Sequence, residues 1–513
     1  MVGLAIRARD AIGLFPVAAA IDYYIGPNGS DSNPGTEAQP WAITALTTKR
    51  ATYAGRTVGF LDGTYDVSAL NAPTRPFAVP LFNIAGGSAL SPTIIKSVNP
   101  RGAHITAKTP GGTYTGSKSG GIFNGFHQPH EGGVFANTVG VTAGNIIFDG
   151  LRMSGEQTVL IRIGEGPNTG FGYANCAIIN CELFDCNDAQ ANNNGGNYAA
   201  DGANICPIQT FNTDNLLIEN NYIHDIISWS PTTPDHLSCL ICWYSRNTTI
   251  RYNTFVQASG IYGKEYPSPG FVCEYNYVQE TRNTVGIADW VGGVSPIAAT
   301  GLITYIRNNV INVAGGGIAM HATLGSGASR TPMKDPIYIH NNTVYALSPG
   351  NNPHIGFAVN SNIAGQSRSF NNIMFGGMNI FERKMHSFNP LAPGLVDYNW
   401  YPNTGSRWRL LSDSTYGPDS GGEHSSLATM AAAVQAAGGI STSLVEAHAV
   451  QSSQNTALMF TQTGTFANRF RLAATSSALN AGRSDGTTGG SVVDMGAWGN
   501  LPVGVTRIGC DFA

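Results

Sequence analysis

Gly260-Ile261-Tyr262-Gly263-Lys264-Glu265 is the stretch that decides the fold, because its pattern returns along the chain. Gly286-Ile287-Ala288-Asp289-Trp290, Gly317-Ile318-Ala319-Met320-His321, Gly356-Phe357-Ala358-Val359-Asn360 and Asn379-Ile380-Phe381-Glu382-Arg383 repeat it, and Leu240-Ile241-Cys242-Trp243-Tyr244 reads as an earlier member. Each copy is predicted to be a short strand, whose alternate residues point to opposite faces. The second position, always Ile or Phe, suits the interior. The fifth runs Tyr244, Lys264, Trp290, His321, Asn360 and Arg383, a polar and aromatic surface rather than a core.

A second repeat supports the first. Strand-like runs around Asn221, Asn253, Asn276, Asn309, Asn342 and Asn372 are spaced by 32, 23, 33, 33 and 30 residues. Two short strands per unit, with no room for a helix in most units, predict a β-solenoid in which stacked coils bury what no single coil can. An asparagine at each bend is expected to hydrogen-bond its equivalents above and below, and to take the left-handed backbone geometry there.

Composition agrees. Charged residues make up 12% of the 513, about half the usual share, while Gly reaches 63 and hydrophobic residues 42%. The net charge of -4 gives no electrostatic case for nucleic acid or an acidic membrane, so an anionic ligand would have to be met by local cations. No stretch reaches the length of a membrane span. The eight cysteines show no zinc spacing; several fall in strand-like runs, and buried free thiols are the favoured reading over disulfides. Leu14 to Ile21 follow an Arg-containing start, but the apolar stretch is short and Pro16 interrupts it. Residues 1–20 are therefore set apart as an extension or targeting segment.

From residue 21 the chain reads as strand, polar loop, short helix (Ile43 to Ala51) and strand. The phrase Ser30-Asp31-Ser32-Asn33-Pro34-Gly35-Thr36, followed by a strand ending in Gly63-Thr64-Tyr65, resembles the opening of right-handed parallel β-helix proteins of the pectate-lyase-like superfamily. Phe470 to Gly482 with Val493-Asp494-Met495-Gly496-Ala497 resembles the terminal module of many of them. The resemblance implies an all-β, right-handed parallel β-helix with terminal caps: the helix over 21–398 and an irregular capping module over 399–513. A cap is also required physically, since the last coil otherwise exposes an unpaired edge.

Stacked in register, the outward positions would rise by about 4.8 Å per coil, giving a strip of roughly 25 Å that suits an extended polysaccharide. Tyr244, Tyr262 and Trp290 offer flat faces to sugar rings; Arg307, Asn360, Arg383 and His236 offer hydrogen bonds or charge. A uronate lyase needs a base and a cation near the substrate carboxylate. Lys264 is the candidate base, with Arg282 or Arg307 as a neighbouring cation and His321 two copies further on. The resemblance points the same way, because β-helix pectate lyases use a Lys or Arg base together with calcium. Asp185, Asp188 and Asp201, bracketing an Asn-rich loop, are the candidate Ca2+ ligands.

Hydrolysis competes. It requires two carboxylates, which Asp235, Glu265 and Asp289 could supply. Strict alternation turns Asp289 inward, where an unpaired carboxylate is costly, unless a bulge swings it into the groove. Epimerisation, a non-catalytic glycan-binding helix and a phage-type tail spike complete the alternatives. The expected partner is a polysaccharide, with no nucleic acid and no membrane. A secreted or extracellular monomer is favoured, and a virion-associated homotrimer is expected if the chain is a spike.

Overall fold

The computed structural model describes residues 20–70, 81–107, 123–124, 144–155, 159–164, 173–186, 206–226, 238–243, 245–256, 261–264, 270–280, 287–291, 302–313, 317–322, 336–346, 355–357, 368–375, 396–402, 408–409, 423–436, 448–454, 459–463, 466–482, 494–497 and 508. The chain divides into two compact units, Met1–Thr232 and Thr233–Ala513. In both, the repeating coil contributes one strand to each of three parallel sheets, called first, second and third in the order the chain meets them, and the coil that begins with Tyr23–Ile25 contributes to the first alone.

In the Met1–Thr232 unit the first sheet stacks Tyr23–Ile25, Thr57–Phe60, Thr93–Ser97, Ile146–Asp149, Tyr173–Ile179 and Thr213–Glu219, all parallel. Its inward column is Val58, Ile95, Phe148, Ile178 and Ile218, each fully buried. The second sheet stacks Gly63–Asp66, Ala103–Thr106, Arg152–Ser154, Glu182–Phe184 and Tyr222–His224 around an inward column of Tyr65, Ile105, Met153, Leu183 and Ile223. The third sheet comprises Phe82–Asn83, Phe123–Asn124, Ile161–Ile163 and Ile208–Phe211.

The Thr233–Ala513 unit repeats the plan. Its first sheet carries the column Ile250, Cys273, Ile306 and Ile339, and its second the column Phe255, Val278, Ile311 and Val344, all fully buried. Each single column is too thin to exclude water. Stacked, they form a continuous core, which is why the period rather than any one strand carries the stability. This architecture is a parallel β-helix.

The asparagine repeat marks the bend between first and second sheets. Asn276 Oδ1 accepts from Asn253 N and Nδ2, both at 3.0 Å, and the pattern continues through Asn309, Asn342, Asn372 and Asn399. From Asn276 to Asn399 each Nδ2 also donates to a carbonyl of the preceding coil, as from Asn309 to Cys273 O at 2.9 Å. In the Met1–Thr232 unit, Asn221 serves Cys181 N and Ile178 O in the same way. The left-handed geometry sits one residue earlier than expected, on Asn220, Tyr252, Tyr275, Asn308, Asn341, Asn371 and Tyr398. The bend divides its labour: one residue turns the chain, and the next saturates the backbone that the turn leaves unpaired.

At the start, helices Ala45–Thr48 and Arg50–Tyr53 bury Leu46 and Tyr53, whose hydroxyl donates to Leu46 O at 2.7 Å. The Ser30–Thr36 loop closes on Trp41, whose Nε1 donates to Asn33 O; Gly35, at φ +85, leaves no room for a Cβ against that indole. Towards the other end, Val450–Ser452 pairs in parallel with Trp400–Pro402 and continues the second sheet. Met459, Phe460, Phe470, Met495 and Ala497 then lie along the outside of that sheet, burying Tyr277, Val310, Ile373 and Trp400 to 1% exposure or less. Gly496 N donates to Asn371 O, Ala497 N to Thr343 Oγ1 and Asn308 Nδ2 to Ala497 O. The terminal segment thus covers a flank as well as extending an edge. No helix among the described residues is long and apolar enough to cross a membrane.

Candidate functional site

The third sheet of the Thr233–Ala513 unit holds the strands singled out by the first repeat: Leu240–Trp243, Ile261–Lys264, Ile287–Val291, Ile318–Ala322 and Ile355–Phe357. Leu240, Ile261, Ile287 and Ile318 pair in one column, and Leu240, Ile261 and Ile318 are fully buried. Cys242, Gly263, Asp289 and Met320 form the second column of the same parity, and Cys242 is fully buried. By alternation the other two columns lie on the opposite face of the sheet, where Ile241 is buried and Trp243 partly exposed. One is Ile241, Tyr262, Ala288 and Ala319; the other is Trp243, Lys264, Trp290 and His321.

Lys264, Trp290 and His321 thus occupy successive rungs of one column, with Tyr262 in the column beside them. Two placements differ from expectation, and at Asp289 strict alternation holds. Trp243, not Tyr244, stands opposite Lys264. The run Leu240-Ile241-Cys242-Trp243-Tyr244 is apolar on both parities, so it could not fix its own register, and a slip of one residue exchanges the faces. Phe357 pairs with Met320 rather than Ile318. Pairing runs without interruption from Ile287 to Val291, so no bulge lifts Asp289, and its position stays in the column of buried Cys242.

Arg307 is not on this sheet. It ends Thr304–Arg307 of the first sheet, where Nε and Nη2 each lie 2.7 Å from Glu274 Oε2. It was expected beside Lys264 from chain proximity, but the coil carries it to another face. Asp235, His236, Tyr244, Glu265, Asn360 and Arg383 lie outside the described residues, as do Asp188 and Asp201 of the calcium set. Asp185 is described, as a left-handed bend residue after Glu182–Phe184, and no group of three potential metal ligands occurs among the described residues.

The sequence reading passed over an ionic cluster on the outer face of the second sheet in the Met1–Thr232 unit. Arg152, Glu182 and Tyr222 share one outer column, and Ser154, Phe184 and His224 the other. Arg152 Nε lies 3.2 Å from Glu182 Oε2; His224 places Nε2 3.2 Å from Glu182 Oε1 and Nδ1 2.8 Å from Asp225 Oδ2. Burial works to raise the Glu182 carboxyl, but the His224 hydrogen bond and the Arg152 charge outweigh it and hold the group below the usual carboxylate range. His104, 2.8 Å from Ser154 Oγ, is lowered by burial and by Arg152. Both Glu182 oxygens have partners, and the rings stack on one another, Phe184 on His224 at 5.1 Å and His104 on Phe184 at 5.5 Å. The cluster has the form of a clasp between coils. Its signal was available in the matched triplets Arg152-Met153-Ser154, Glu182-Leu183-Phe184 and Tyr222-Ile223-His224, each placed just after a bend.

No family model matches the chain, and no curated protein matches it. Among solved structures it is similar to a rhamnogalacturonan lyase (16% identity, 77% of this chain and 84% of that one, TM-score 0.36) and to a pectate lyase (14%, 94% and 97%, TM-score 0.37). It is also similar to the A-module of a mannuronan C-5 epimerase from Azotobacter vinelandii (10%, 74% and 92%, TM-score 0.32). These likenesses are loose, and the parallel β-helix is read from the strand pairing itself.

Proposed function

We propose that this chain binds an extended, uronate-containing glycan along the third sheet of the Thr233–Ala513 unit and cleaves it by β-elimination. The observation that carries this reading is the column Trp243, Lys264, Trp290 and His321, one rung apart on a surface whose opposite face is buried. Rungs about 4.8 Å apart give an extended sugar chain a track parallel to the solenoid axis. Two indoles on that track suit the apolar faces of pyranose rings.

In the proposed reaction, Lys264 in its neutral form removes the proton next to the substrate carboxylate. The electron pair forms the new carbon–carbon double bond, and the glycosidic oxygen leaves from the adjacent carbon, taking a proton from water. His321, two rungs from Lys264, is the candidate to meet the carboxylate as charge builds. No step is assigned to calcium. Hydrolysis is the weaker reading, because its acid–base pair needed Asp289 in the groove and Asp289 sits in the column of buried Cys242.

The test is a panel of uronate-containing and neutral polysaccharides, followed by ultraviolet absorbance of an unsaturated product and by reducing ends. Absorbance should rise on a uronate chain. Lys264→Ala should lower that rate by about 10²–10⁴-fold, the usual contribution of a general base, while Asp289→Asn stays far closer to the parent. Reducing ends without absorbance, abolished by Asp289→Asn, would overturn elimination.

A further inference from the structure

The first sheet of the Thr233–Ala513 unit carries an outward face of a different kind. Val272, Tyr305, Tyr338 and Arg368 pair in one outer column; Arg251, Glu274, Arg307 and His340 pair in the other. The alternate positions Ile250, Cys273, Ile306 and Ile339 are fully buried, so these columns lie on the opposite side of the sheet, where Arg251, Val272, Tyr305, Arg307, Tyr338 and Arg368 are partly exposed and Glu274 and His340 are buried. Tyr305 and Tyr338 meet edge to face at 5.5 Å and 71°, and the Arg307 guanidinium lies 5.1 Å from the Tyr305 ring. Arg307 is fixed by its pair with Glu274, whose side chain is 9% exposed against 27% for Arg307, so the carboxylate is the inner partner and the guanidinium the outer.

We infer that this face is a second, non-catalytic binding surface for an acidic polysaccharide. Lys and Arg number only 28 of 513 residues, yet arginine recurs here on every second strand, at Arg251, Arg307 and Arg368. At about 4.8 Å per strand those cations stand about 10 Å apart along the axis. A polyanion with charges at sugar spacing can meet such a row, and the forked guanidinium suits a carboxylate. Tyr305 shares the strand of Arg307 and Tyr338 stands on the strand between it and that of Arg368; both are partly exposed and offer aromatic surface and hydroxyls to the sugar rings. A chain with net charge -4 has no general field to hold a polyanion, so a local array has to do so. The choice of a uronate chain as occupant rests on the elimination reading; the anionic character of the occupant does not.

Affinity electrophoresis of the full chain tests this in gels containing polygalacturonate or its fully methyl-esterified form, with Arg368→Ala combined with Tyr338→Ala as the surface variant. Polygalacturonate should retard the parent, and salt should weaken the effect. The esterified chain should retard it much less. The surface variant should lose at least fivefold of the apparent affinity, with unchanged melting temperature and unchanged cleavage of short uronate oligomers. Lys264→Ala should keep the retardation while losing product, so failure of the elimination reading leaves this test intact. Equal retardation of parent and surface variant would overturn the inference. So would a parent that self-associates in gel filtration through these two residues, which would make the occupant a second copy.

Discussion

At the scale of single residues, the asparagine column does the most per atom. Asn309 Oδ1 accepts the Asn276 backbone N–H and side-chain amide, while its own Nδ2 reaches Cys273 O and Asn342 Oδ1. Asn309→Ala strands a buried backbone donor and a buried acceptor together, and should lower the unfolding free energy by about 3 kcal/mol in urea titration. The column was legible because one residue type recurs at one spacing. Its left-handed partner was not, because that position is split between Asn (Asn220, Asn308, Asn341, Asn371) and Tyr (Tyr252, Tyr275, Tyr398), and no local rule says which residue of the bend turns. Glu182 gives a pH test. Its folded carboxyl lies below its unfolded value of about 4.3, so its stabilisation is present above that pH and is lost as pH falls through the lower folded value. Unfolding free energy should therefore fall on acidification below about pH 5, and Glu182→Gln should be less stable at pH 7 with a shallower acid limb. A variant whose acid limb matches the parent would remove Glu182 from the account.

At the scale of elements, strand parity was legible wherever apolar and polar residues alternate, as in Ile261 to Lys264. It failed at Leu240 to Tyr244, where both parities are apolar. The face of a strand was legible, but the sheet to which a coil delivers a residue was less so, and Arg307 paid no heed to its sequence neighbours. The terminal segment escaped because its contacts have no period: Asn308 to Ala497, Asn341 to Asp494 and Thr343 to Ala497 span more than 150 residues each. Gly496 is the tightest point of that docking, at φ +84, where a Cβ would come within 2.6 Å of Ile373 Cδ1 and 2.8 Å of Thr343 Oγ1. Gly496→Val combines overpacking with backbone strain and should cost about 2 kcal/mol or more. Limited proteolysis should show faster cleavage near residues 459–497, and an unchanged pattern would mean the segment is held elsewhere.

At the scale of the molecule, seven of the eight cysteines are described, and all seven are buried thiols outside any disulfide. Burial pushes Cys176 up to about 11 and Cys181 up to about 12, and raises Cys273 well above the usual thiol range. Native protein at pH 8 should leave these seven unlabelled by a thiol reagent over the time in which unfolded protein labels fully, as peptide mass spectrometry would show; rapid labelling of Cys181 would contradict the burial of its coil. The broad architecture was legible because a solenoid writes its core once per period. The chemistry of the third sheet was legible only as a column of residue types, since groove chemistry depends on loops that follow no period. Docking of residues 459–497 on the outward aromatics of the second sheet also bears on biosynthesis. A nascent chain that has already wound the coils carrying Tyr277, Val310 and Trp400 still presents that sticky flank to its surroundings until the covering segment has been synthesised. Chaperone demand during translation should therefore concentrate in that late interval.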